Sequence, residues 1–90
     1  MTDAKLLIVK GRVQGVYFRA HTQKQAQALA LVGFVRNLPN GDVEIVGSGD
    51  SDAVHQLVRW CHQGPMLAKV TEVQVEPYRG NETFNGFDIR

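Results

Sequence analysis

The chain alternates between stretches whose apolar residues are contiguous or every second and stretches where they recur every third or fourth. Leu6, Leu7, Ile8 and Val9 form an unbroken apolar run, which predicts a central strand over Lys5 to Gly11. Gly11 to Arg19 holds two glycines and reads as a loop. From about Arg19 to Val32 the chain is rich in Ala, Gln and Leu. Phe18, Thr22, Ala26, Leu29 and Val32 fall close to one helical face, and Gly33 stands where a C-cap is expected. Phe34 to Leu38 predicts a second strand, Pro39-Asn40-Gly41-Asp42 a hairpin turn, and Asp42 to Gly47 the returning strand. Gly49-Asp50-Ser51 breaks the pattern, with Asp50 or Ser51 placed to cap a second helix. In that helix Val54, Leu57, Val58 and Cys61 make an amphipathic stripe, and Gly64-Pro65 ends it. Val70 to Val75 predicts a fourth strand, Asn81 to Asn85 a loop, and Phe87-Asp88-Ile89 a short last strand.

This order, β-α-β-β-α-β with a short C-terminal strand, predicts an α+β fold: a ferredoxin-like sandwich with two helices on one face of an antiparallel sheet. Residues 1–90 are expected to form one domain, since the length suffices for one modest core. Many unrelated activities share this architecture, so function has to be argued from local chemistry.

Charge narrows that chemistry. The formal net charge is +1, so anion binding has to come from local placement rather than bulk basicity. A dedicated nucleic-acid binder, which neutralises phosphates with many Lys and Arg, is not expected. Cys61 is the single cysteine, which excludes an intramolecular disulfide and fits a reducing compartment. Met1 to Lys5 does not resemble a signal peptide, and no apolar run is long enough to span a bilayer. A cytoplasmic monomer without membrane contact is expected.

The segment Gly11-Arg12-Val13-Gln14-Gly15-Val16-Tyr17-Phe18-Arg19 joins a strand end to a helix start. Helix N-termini expose unpaired N–H groups and a positive dipole end. Gly15 lets the backbone curl so that successive N–H groups converge. Arg19 lies where loop becomes helix, and its planar guanidinium suits two parallel bonds to a phosphoryl group. Together these make a phosphate site with no need for metal.

That nine-residue string resembles the first signature of the acylphosphatase family, and Gly33-Phe34-Val35-Arg36-Asn37-Leu38-Pro39-Asn40-Gly41-Asp42-Val43-Glu44 resembles the second. The likeness runs over essentially the whole chain and includes Trp60-Cys61-His62-Gln63-Gly64-Pro65, similar to bacterial members. It implies hydrolysis of small-molecule acyl phosphates to a carboxylate and inorganic phosphate, with phosphate as product and inhibitor and no cofactor or metal. It also implies that Gln14, Gly15, Val16, Tyr17 and Phe18 form a phosphate-binding loop of backbone donors. Arg19 would then bind the phosphate and Asn37 orient the attacking water. Tyr17 occupies a variable place in the loop, and Leu38 stands where some members carry Ser or Thr.

Topology agrees independently. In a split βαβ the first two strands run parallel with the third between them, so their C-terminal ends share one sheet edge, about 10 Å apart at roughly 4.8 Å per strand. Val35 and Asn37 share a face by parity; if Val35 packs under the helices, Asn37 points to the side where the first helix begins.

Other chemistry-bearing residues have plainer readings. His21, His55 and His62 are expected to be structural or solvent-facing, Cys61 a buried thiol, and Trp60 partly exposed or covering a sheet edge. Asp42, Glu44, Asp50 and Asp52 suit turn and cap duties, and Arg12 and Arg36 suit solvated charge that draws anions modestly. No Walker-type Gly-Lys-Ser/Thr is present. The alternatives are a non-enzymatic ferredoxin-like module that binds an anion or RNA, and an acylphosphatase-like scaffold acting on a larger carrier. The first strand has no aromatic residue of the kind an RNA-binding sheet uses.

Overall fold

The computed structural model describes residues 1–90. Its elements are β1 (Thr2–Arg12), α1 (Phe18–Ala28), β2 (Val32–Asn37), β3 (Val43–Asp50), α2 (Ser51–Gln63), β4 (Lys69–Pro77) and β5 (Phe87–Ile89). The strands form one sheet in the order β4-β1-β3-β2-β5. The neighbours β4/β1, β1/β3 and β3/β2 are antiparallel. This is the ferredoxin-like arrangement the hydrophobic pattern predicts, with one addition. β5 runs parallel to β2, because β4 ends at the opposite edge and residues 78–86 must cross the sheet before pairing resumes. No helix is long and apolar enough to cross a membrane.

Register explains the core. Leu7 is opposite Val75 and Ile45, and Val35 is opposite Ile45 and Ile89, so one row of the sheet reads Val75, Leu7, Ile45, Val35, Ile89. The next row reads Val73, Val9, Val43, Asn37. Leu7, Val9, Ile45, Val35 and Val43 are all fully buried against the helices, each contributing about 1.5–3 kcal/mol of burial energy. Asn37 is thus the polar end of an otherwise apolar row.

Phe18 opens α1 and is also fully buried; its ring lies 5.5 Å from that of Trp60 on α2. Trp60 is half-buried by this contact. α2 buries Val54, Leu57 and Cys61, while Val58 packs at the margin. Asp50 caps it by accepting from the N–H groups of Asp52 and Ala53 at 3.1 and 3.4 Å. The helix-free face is closed by the crossing segment: Phe84 lies 5.9 Å from Phe34 and 5.9 Å from Tyr78.

The first helix is shorter than the periodicity predicts. It stops at Ala28 rather than near Val32, and Ala30 takes the left-handed backbone (φ 58°) expected of Gly33. Gly33 instead sits inside β2 opposite Gly47, with φ 141°. A Cβ there would lie 1.9 Å from the Val46 carbonyl oxygen, so glycine serves close strand approach and not helix termination. Gly33→Ala is therefore expected to cost more than about 2 kcal/mol, readable as a lowered urea midpoint at unchanged m-value. Alanine tolerated at no cost would show that this strand pair is not under the constraint described.

Candidate active site

β1 and β2 both pair antiparallel with β3, so they run parallel and end at the same edge. The loop after β1 and the turn after β2 meet there. Val13 and Val16 anchor the loop in the core, at 1% and 5% exposure. Between them Gly15 takes φ 75°, and Tyr17 takes φ 62°, ψ 24° as the residue before α1. Left-handed residues alternating with ordinary ones turn successive N–H groups toward one side. For glycine this conformation is free; for tyrosine it costs about 1 kcal/mol.

The N-terminus of α1 has no side-chain cap and no acidic residue in its first turn. Its first backbone bond runs from the His21 N–H to the Tyr17 carbonyl, at 3.1 Å. The N–H groups of Phe18, Arg19 and Ala20 precede that bond and carry the positive end of the helix dipole.

A cavity of about 350 Å³ opens on this edge, and its lining includes Gly15, Tyr17, Phe18, Arg19 and Asn37. The structure thus brings together the two principal candidates, which lie 18 residues apart in sequence. Arg19 is half-buried and enters none of the ion pairs. The Asn37 Oδ1 is buried without a hydrogen-bond partner. A buried unpaired acceptor costs on the order of 1–3 kcal/mol. Of the remaining loop candidates, the side chains of Gln14 and Val16 do not line the cavity.

Gln14 does something the sequence reading missed. Its Nε2 donates to the Leu38 and Asp42 carbonyls, each at 2.9 Å. These carbonyls flank the β2–β3 turn, which is closed by the Leu38 N–H donating to the Asp42 carbonyl at 2.8 Å. One carboxamide therefore ties the loop carrying Gly15 and Tyr17 to the turn that follows Asn37. Asp42 does more than turn duty: it is buried and accepts from Lys10 Nζ at 2.8 Å, a bond that raises the Lys10 pKa above its ordinary value. Arg36 is not free surface charge either, since its Nε donates to Glu44 Oε1 at 2.6 Å across the strand pair. Ile89 is a further lining residue not anticipated from the sequence; its place follows only from the parallel pairing with Val35.

His21, His55 and His62 are all exposed, and no three His, Cys, Asp or Glu side chains converge into a metal-binding group. Burial pushes the Cys61 thiol up to about 12, which leaves it protonated and poorly nucleophilic.

Fold and cleft together define a ferredoxin-like domain whose one sheet edge carries a cleft lined by Arg19 and Asn37. The family profile described as Acylphosphatase matches residues 5–89. An acylphosphatase of Caldivirga maquilingensis is 53% identical over 85 residues, covering 93% of this chain and 90% of that protein. The solved acylphosphatase from Coxiella burnetii superposes with a TM-score of 0.93 at 38% identity, over 99% of this chain and 93% of that one. The one from Bacillus subtilis gives 0.92 at 37%, over 100% and 99%. The chain belongs to the acylphosphatase family, and it is an enzyme of acyl phosphate hydrolysis rather than a binding module.

The Gln14 tie is open to test. Gln14→Ala removes one of the two donors on each carbonyl, the Gly41 and Leu38 N–H groups remaining, and is expected to cost about 1–3 kcal/mol for the two hydrogen bonds lost. Gln14→Glu places a carboxyl against two carbonyl oxygens, which raises its folded-state pKa. That variant should match or exceed the alanine variant in stability at low pH. It should lose stability relative to it as pH rises from the ordinary carboxylate range through the raised value. Parallel pH–stability curves for the two variants would rule the tie out.

Proposed function

We infer that Arg19 and the amides of the Gln14 to Phe18 loop bind the phosphoryl group of an acyl phosphate, and that Asn37 orients the attacking water, without a metal ion. The observation that carries this is the convergence on one cavity of a guanidinium without a carboxylate partner and the Asn37 side chain, whose amide oxygen has no donor in the protein. An acyl phosphate and a water supply what each lacks: phosphoryl oxygens for the guanidinium and amides, and an O–H for Asn37 Oδ1.

The chemistry follows from these roles. Water oxygen forms a bond to phosphorus as the bond from phosphorus to the acyl oxygen breaks, and the carboxylate leaves with that electron pair. Charge spreads over the equatorial phosphoryl oxygens in a loose transition state. Arg19 and the loop amides stabilise that charge from fixed positions. The Asn37 carboxamide accepts from the water and holds it in line; it is not a base. No Asp, Glu or His lines the cavity, so the water's proton goes to a phosphoryl oxygen of the substrate. A monomer working in the cytoplasm completes the proposal.

Hydrolysis of benzoyl phosphate should proceed undiminished in EDTA; chelator-sensitive turnover would exclude the metal-free reading. Arg19→Ala is expected to lose at least 100- to 1000-fold in kcat/KM, with weakened inhibition by inorganic phosphate. Asn37→Ala should lose kcat while keeping phosphate inhibition near that of the parent. Near-normal kinetics in the first variant, or matching losses of turnover and phosphate affinity in the second, would overturn the assignments.

A further inference from the structure

The chain contains two Asn-Gly steps, Asn40-Gly41 and Asn85-Gly86, and the hydrolysis uses neither. Asparagine is a thermolabile residue, because the next amide nitrogen can attack its carboxamide carbon. A following glycine makes this easiest, since it has no side chain to block the approach.

The fold treats the two steps in opposite ways. Asn40 is locked. Its Oδ1 accepts from the Asp42 N–H at 3.0 Å, and its Nδ2 donates to Asp42 Oδ2 at 3.1 Å. The Gly41 N–H, which would supply the attacking nitrogen, donates to the Leu38 carbonyl at 3.1 Å. Three hydrogen bonds must break before this step can react, which slows it at least about tenfold. Asn85 is free. It is exposed and lies outside helix and strand. Its side chain makes no hydrogen bond, and the Gly86 N–H has no protein acceptor. A Cβ built on Gly86 would meet nothing within 4 Å, so the space around the attacking group is open.

We propose that Asn85 is a modification site at which the folded protein deamidates spontaneously, while the same dipeptide at Asn40 is protected. The only reagent is water. The Gly86 nitrogen gives up its proton to base and forms a bond to Asn85 Cγ. The bond from Cγ to Nδ2 breaks, and that nitrogen leaves as ammonia with a proton taken from water. Water then opens the cyclic imide at one carbonyl or the other, giving aspartate or isoaspartate.

The position gives the isoaspartyl product a structural consequence. Asn85 lies between two anchors: Phe84, whose ring is 5.9 Å from those of both Phe34 and Tyr78, and Phe87, which is 3% exposed. The Gly86 carbonyl accepts from the Gly33 N–H at 2.9 Å, and Gln23 Nε2 on α1 donates to the Phe87 carbonyl at 2.8 Å. Isoaspartate routes the main chain through the side-chain carbon and lengthens it by one atom. With both ends held, that atom has to be absorbed by one of these contacts at the start of β5.

The experiment incubates the folded protein in mildly alkaline buffer made with heavy-oxygen water and maps its peptides by mass spectrometry. The peptide holding Asn85 should take up the label, in aspartyl and isoaspartyl forms, at least about tenfold faster than the peptide holding Asn40. In the urea-unfolded chain the two should convert at comparable rates. Gly86→Ala, whose Cβ has room, should fold as the parent does and all but stop the reaction at residue 85. Equal labelling of both sites in the folded protein, faster labelling at Asn40, or labelling confined to the unfolded chain overturns the proposal. So does a Gly86→Ala protein that converts at the parent's rate. The isoaspartyl form, separated by chromatography, should unfold at a lower urea midpoint than Asn85→Asp, which carries the same charge on an ordinary backbone. Equal midpoints would overturn the strain at β5.

Discussion

The insertion of β3 between β1 and β2 is the constraint from which the cleft follows. Two strands that both run antiparallel to a shared neighbour must end at the same edge, so their outgoing connections are forced together across one strand's width. Gln14 then fixes the distance between those connections with one carboxamide, which has two N–H groups to give and meets two carbonyls placed to take them. Arg19 and Asn37 come from different elements, yet their relative position is set by sheet hydrogen bonding and one bridging side chain, neither of which substrate has to organise.

Packing supplies the second half of this preorganisation. Phe18 is buried between the start of α1 and Trp60 of α2, and a Cβ on Gly64 would lie 2.8 Å from its ring. The residue next to Phe18 is Arg19, so the guanidinium springs from a backbone position that cannot drift without disturbing both helices. The strain at Tyr17 is maintained by its neighbours, Val16 and Phe18, both held in the core. The polar site therefore borrows its rigidity from apolar contacts on either side.

Most of the architecture was legible because hydrophobic spacing carried it. The stripe Val54, Leu57, Val58, Cys61 and the cap at Asp50 appear in the structure as the pattern predicts, and parity alone aimed Asn37 toward the helix side. What could not be read was decided by long-range contact. Leu29 to Leu31 carries good helix formers, yet the helix has already ended, because β2 must begin in time to bring Gly33 against the Val46 carbonyl. Gln14 looks like any polar loop residue until its partners, 24 and 28 positions away, are known. Ile89 becomes a wall only once β5 is seen to pair with β2, and Asp42, a turn residue by its neighbours, becomes the buried partner of Lys10. The signature residues themselves were the exception, since their order and spacing suffice to mark the family.

The unmet polar groups of the cleft tie the endurance of the folded chain to its surroundings. A guanidinium and a carboxamide oxygen left without protein partners are a reserve of binding energy available only to the native state, since unfolding scatters them. An anion occupying the cleft at a hundred times its dissociation constant stabilises the fold by about 2.7 kcal/mol, comparable to a sizeable core side chain. With the cleft binding phosphate as proposed, heat resistance would be partly a property of the medium, greater in phosphate-rich buffer than in a non-coordinating one, and the same protein would be judged hardy or fragile by the choice of salt.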